Sequence, residues 1–185
     1  MAKARTDASN LVALLLACGV AGAQSLEAAE KTLREKQLAV PVEGVAQSAL
    51  RDTYRETRGG RAHEALDIAA PRGTKVFAVD HGTVVKLFDS VRGGVSLYQF
   101  DSSGTLVYYY AHLDGYAPGI REGAALKRCD VIGYVGTTGN APPHAPHLHF
   151  AVFALGPEKR WWTATPINPY SALRSERAAS LPACR

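Results

Sequence analysis

Five side chains in this sequence have the types and spacing for metal and proton chemistry: His63, Asp67, His112, His147 and His149. His147-Leu148-His149-Phe150 reads as part of a buried strand. Successive side chains of a strand point to opposite faces, so its two imidazoles share one face while Leu148, Phe150 and Val152 share the other. His63 and Asp67 stand four residues apart, a spacing that aligns both side chains in a helix or in an extended segment, so spacing alone leaves the local structure open. Two imidazoles and one carboxylate meet the needs of a tetrahedral zinc ion whose fourth position is left for water. Zinc brings the pKa of that water towards neutrality and polarises a carbonyl, and two further histidines nearby would orient the water, take its proton and steady the oxyanion. The chemistry indicated is metal-assisted attack on an amide. Taken literally, His63-Glu64-Ala65-Leu66-Asp67 also mimics a His-Glu-x-x-His helix with Glu64 as general base. Gly59-Gly60 and Pro71 confine any such helix to about ten residues, too short to hold a motif rigidly, so the extended reading is preferred.

The elements that must position these groups are mostly strands. Beyond Pro71-Arg72-Gly73 the chain turns to short β-branched and aromatic runs separated by Gly, Asp and Ser, the pattern of an antiparallel β domain with tight turns. Strands are expected over 75–79, 83–88, 95–100, 105–111, 131–135 and 147–154, with Asp101-Ser102-Ser103-Gly104 as a hairpin loop. Period two in the fourth of these puts Leu106, Tyr108, Tyr110 and His112 on one face and Val107, Tyr109 and Ala111 on the other, with His112 at the strand's end. Upstream, Leu26, Ala29, Leu33 and Leu38 lie among charged residues, as in a short amphipathic helix over 25–38 that Pro41 and Gly44 end. Residues 47–61 are polar and read as a surface lead-in rather than a strand. His81 reads as a solvated turn residue and His144 as a rim residue; Trp161 and Trp162 either hold substrate or close one end of the core.

At 185 residues the chain has room for one domain with a leader and short extensions. A net charge of +4 spread along the sequence gives no basic patch, so nucleic acid is not an expected partner. Lys3 and Arg5 precede the apolar run 11–17, and Ala21-Gly22-Ala23 supplies small residues at a cleavage position, so residues 1–23 read as an export signal too short to span a membrane. Leu15-Leu16-Ala17-Cys18 offers an alternative, a lipid anchor at Cys18. Either route leaves Cys129 and Cys184 as the two thiols of an exported chain, bridged or unpaired.

The same residues carry a family resemblance. Residues 60–170 resemble a LytM-type zinc endopeptidase of the lysostaphin class, through His63-x-x-x-Asp67, Ala111-His112-Leu113 and His147-Leu148-His149-Phe150. Gly73-Thr74, Gly82-Thr83-Val84, the run 131–136 and Thr138-Gly139-Asn140 follow in the expected order. The resemblance implies a small, mainly β, antiparallel sheet domain with a groove for an extended peptide. It also implies zinc on His63, Asp67 and His149, with His112 and His147 as the catalytic pair, and peptide stems of bacterial peptidoglycan as substrate in the periplasm or cell envelope. The implied division is a leader (1–23), a helix and lead-in (24–60), the peptidase domain (61–170) and a tail (171–185). The competing reading is a non-catalytic module of the same fold that binds and regulates another cell-wall hydrolase; such modules often lack one or more ligands, and here the set is complete. Two positions depart from the pattern: Ala65 replaces a Gly between the ligands, and Cys129 replaces a turn Gly. A left-handed backbone at position 65 would cost Ala about 1 kcal/mol.

Overall fold

The computed structural model describes residues 26–180 and 182–185; the expected leader 1–23 and Cys18 lie outside these. The described chain is mainly β. Its strands are β1 (Thr57–Arg58), β2 (Arg61–Ala62), β3 (Leu66–Ala69), β4 (Lys75–Phe77), β5 (Gly82–Ser90), β6 (Gly94–Asp101), β7 (Leu106–Tyr116), β8 (Ala125–Leu126), β9 (Val131–Val135), β10 (His147–Ala154) and β11 (Thr165–Ile167). Helix α1 covers residues 26–35, and two single-turn helices close the chain, α2 (Tyr170–Leu173) and α3 (Glu176–Ala179). Each of the six expected strands is present within two residues of its expected ends, except that β7 runs five residues beyond the expected end at Ala111.

Every strand pairing is antiparallel, and the main sheet runs β11-β10-β7-β6-β5-β8. β10 is the strand that assembles the site: its first half pairs with β3 and its second half with β11 along one edge, while β7 lies along the other. Leu148, Phe150 and Val152 are fully buried on its inner face, as alternation requires, packed with Tyr108 and Tyr110 of β7.

The long β7 leaves β10 at its end and continues against β9, and the change of partner happens through a bulge. On β6 one residue, Ser96, separates Val95 from Leu97, while on β7 two, Ala111 and His112, separate their partners Tyr110 and Leu113. The extra residue is accommodated at His112, whose φ is +61°, with its N–H donating to the Gly93 carbonyl at 2.8 Å. The period-two assignment of His112 to the face of Tyr108 and Tyr110 is therefore wrong. Those two tyrosines point into the core, where the Tyr110 hydroxyl donates to Gln99 Oε1 at 2.8 Å and accepts from the Val79 N–H at 3.0 Å; His112 turns to the opposite face.

Residues 47–61 hold a second departure from expectation. Thr57–Ala62 is a β-hairpin whose two turn residues, Gly59 and Gly60, both have positive φ (58° and 80°), the requirement of a type I′ turn. With two exposed residues per strand it has no apolar alternation to reveal it.

The helical lead-in is part of the same core. Ala29, Leu33 and Leu38 are buried in it, and Lys36 places its ammonium 2.7 Å from Asp80 and 3.0 Å from Asp101. At the other end Cys129 and Cys184 are joined by a disulfide with Cα atoms 5.2 Å apart. Cys129 has φ +72°, so the backbone there does adopt the conformation that favours Gly, and its side chain fastens the tail instead. Closing a span of 55 residues reduces the entropy of the unfolded chain, so Cys184→Ser should lower stability by about 3 to 4 kcal/mol. Urea unfolding of the two proteins measures this; superimposable curves would show that the bridge adds nothing.

Candidate metal centre

The five chemistry-bearing residues arrive from three directions. Asp67 and His149 face each other as paired residues of β3 and β10, His147 lies one strand period from His149, His63 comes from the loop before β3, and His112 from the bulge of β7. No helix forms around His63. Its N–H donates to the Glu56 carbonyl, that of Glu64 to the Tyr54 carbonyl, and Glu64 has φ +57° and is exposed, so the helical reading with Glu64 as base is incorrect. The left-handed residue of this loop is Glu64 and not Ala65, which is fully buried.

His63 Nε2, Asp67 Oδ1 and His149 Nδ1 form a triangle with sides of 3.1, 3.1 and 3.2 Å. His63 Nδ1 lies 3.1 Å from the Thr53 carbonyl, which can only accept, so the ring proton sits on Nδ1 and Nε2 presents a lone pair. That lone pair faces a carboxylate oxygen with no donor between them, an arrangement that calls for a cation. A tetrahedral zinc with bonds of about 2.0–2.1 Å sets ligand atoms about 3.3 Å apart, close to the triangle observed. His63, Asp67 and His149 could thus hold zinc, in keeping with their chemistry of two imidazoles and one carboxylate.

Residues behind these three fix their orientation, and sequence spacing gave no sign of them. The Thr53 hydroxyl accepts from the Asp67 N–H at 3.1 Å, and the Arg58 guanidinium of the β1–β2 hairpin donates to Asp67 Oδ2 while pairing with Glu56. Burial acts against the Asp67 charge, but the His149 ring beside it outweighs that and holds the carboxyl far below the usual range. Burial lowers the pKa of His149, with Asp67 opposing, which favours the neutral imidazole that a metal requires.

His112 and His147 stand beside this triangle with their rings 5.0 Å apart. His112 Nδ1 lies 2.8 Å from the Thr138 carbonyl and His147 Nδ1 2.8 Å from the Ala145 carbonyl, so each ring donates there and turns Nε2 to the site. His147 Nε2 is 3.5 Å from Asp67 Oδ2. Burial first, and the neighbouring His149 next, lower the His112 pKa to about 4, which leaves its Nε2 unprotonated at neutral pH.

The site opens on a cleft of about 680 Å³ lined by His63, His112 and His149, with Tyr109 among its walls. From Tyr109 an aromatic floor continues over the same face of the sheet: Tyr98 stacks on it at 4.4 Å, and Trp161 covers Tyr98 at 4.5 Å. Trp162 is 62% exposed beyond it. Of the remaining residues singled out in the sequence, Tyr110 is in the core rather than the cleft, and His81 and His144 are exposed outside the centre.

The same fold occurs in proteins of known structure. The catalytic domain of the antimicrobial peptidase lysostaphin from Staphylococcus simulans superposes with a TM-score of 0.57 at 27% identity, covering 70% of this chain and 96% of that one. Among curated proteins, the L-Ala–D-Glu endopeptidase of Bacillus subtilis is 33% identical over 133 residues, 68% of this chain and 39% of that protein. The lipoprotein YgeR of Escherichia coli is 30% identical over 131 residues, 71% of this chain and 45% of that protein. The chain therefore spans less than half the length of these two relatives. The profile of Peptidase family M23 matches residues 61–169, a stretch holding all five residues of the centre, and the chain belongs to that family.

Proposed function

We propose that this protein is a zinc-dependent endopeptidase that hydrolyses peptide cross-links of bacterial peptidoglycan, with His63, Asp67 and His149 as metal ligands and His112 and His147 as catalytic residues. The observation that carries the reading is the cluster of His63, Asp67 and His149, with His112 and His147 beside it, at a cleft that His63, His112 and His149 line. A bound zinc would acidify the attacking water and polarise the scissile carbonyl. The chain's own groups handle the proton. His112, neutral at ordinary pH, accepts it at Nε2 and passes it to the departing amine, while His147, held through Nδ1 by the Ala145 carbonyl, aims its Nε2 at the same reacting atoms. The open cleft and its aromatic floor suit an extended peptide.

Residues 61–170 are the catalytic unit in this reading, 24–60 the helix and lead-in, and 171–185 a tail held by the disulfide. Residues 1–23 direct export to the periplasm or envelope, with Cys18 as the alternative site of a lipid anchor. The disulfide and the likeness to a lipoprotein support an oxidising, envelope location. The test is digestion of purified peptidoglycan by zinc-replete and chelated protein, with the products read by mass spectrometry. New muropeptides should appear only in the zinc-replete sample; none from folded, zinc-loaded protein would favour the non-catalytic, regulatory role.

A further inference from the structure

We infer that Arg61 and Arg92 make this cleft selective for a peptide that keeps a free carboxylate beside the bond to be cut. The inference rests on the endopeptidase reading above and names its substrate class. Three arginines, Arg58, Arg61 and Arg92, line the cleft, and none of the residues lining it is acidic. Arg58 is engaged by Asp67 and Glu56. Among the described residues, no carboxylate lies within 4.0 Å of Arg61 or Arg92.

The backbone places both residues at the cleft. Arg58 and Arg61 are directly paired across the hairpin that Gly59-Gly60 turns, so two like charges share one side of a two-stranded ribbon. Like charges placed directly opposite destabilise such a ribbon, and Glu56 relieves only Arg58. A carboxylate in the cleft would relieve Arg61. Arg92 comes from the facing wall, the turn between β5 and β6. There its carbonyl accepts from the Asn140 N–H at 3.0 Å, and that of Gly93 accepts from His112 at 2.8 Å. A Cβ on Gly93 would strike the Tyr109 hydroxyl and one on Gly139 the Arg92 carbonyl, so these glycines let the turn sit tightly against the site. The planar guanidinium matches a carboxylate with two parallel hydrogen bonds, and a concave site of one sign draws in the opposite charge. A peptide whose carboxyls are all amidated offers neither.

The experiment uses the zinc-loaded protein and one set of stem peptides, prepared as the free acid and as the fully amidated form. Cleavage is followed as kcat/KM, and affinity is measured by calorimetry on the same pair with the scissile amide reduced so that it cannot be cut. Wild type should prefer the free acid by roughly five- to tenfold in both measurements, and by less as salt is raised. Arg61→Gln with Arg92→Gln should bring the ratio close to one while zinc content is unchanged; Arg61→Lys with Arg92→Lys should keep part of it. Equal use of the two forms by wild type, or a ratio unchanged in the double glutamine variant, overturns the inference. If neither peptide is cut but the free acid still binds more tightly through these arginines, the carboxylate selectivity stands and the endopeptidase reading fails.

Discussion

His149→Ala should empty the proposed metal centre: bound zinc is expected to fall from about one per chain to near none, and activity to that of chelated wild type. The expectation follows from the triangle of His63, Asp67 and His149, in which each atom faces the other two at 3.1–3.2 Å. Removing one ligand leaves two, and also leaves the His63 lone pair against an ionised carboxylate. Loss of a residue that merely supports a ligand costs roughly 10–100-fold in metal affinity, and loss of the ligand itself must cost more. Metal analysis by mass spectrometry after gel filtration measures it directly. Retention of a full zinc complement in His149→Ala would show that other residues hold the ion.

Removing His112 or His147 should have the opposite pattern, with zinc retained and turnover lost by about 10²- to 10⁴-fold. Neither ring belongs to the triangle, and each is tied through Nδ1 to a backbone carbonyl of its own, Thr138 for His112 and Ala145 for His147. In the proposed mechanism they serve the proton-handling step, so the loss should appear in kcat more than in KM. Glu64→Gln serves as the control, because its backbone is left-handed and its side chain exposed in the loop; it should keep most of the activity. If His147→Ala emptied the site while His149→Ala did not, the ligand and catalytic roles on β10 would be exchanged.

The strands that position the centre could be read in advance where one face is buried and long enough to show alternation. His147 to Ala154 is the clearest case: eight residues with Leu148, Phe150 and Val152 buried on one side. Four-residue β3 and three-residue β11 are too short to carry such a pattern, although β3 supplies Asp67 and lies directly against β10. The β1–β2 hairpin is signalled by Gly59-Gly60 alone, and it brings in Arg58 and Arg61, two of the three cleft arginines, none of which spacing marked. Cys129 was legible as an odd residue at a turn and Cys184 as its candidate partner, but whether the two are bridged depended on the tail returning to bring their Cα atoms within 5.2 Å.

Residue types and periods along the chain were enough to fix the β class, the six main strands and the five side chains with chemistry in them, because alternation and donor type are local properties. Which of those side chains meet is not local. The proposed division of His147 and His149 between a proton-handling pair and a ligand triangle depends on what faces each across the strands: Asp67 opposite His149 from β3, and His112 beside His147 from β7. The last of these required the fold most of all. Simple alternation sends His112 into the core with Tyr110, and one extra residue in the β7 bulge, accepted at φ +61°, turns it back towards the site.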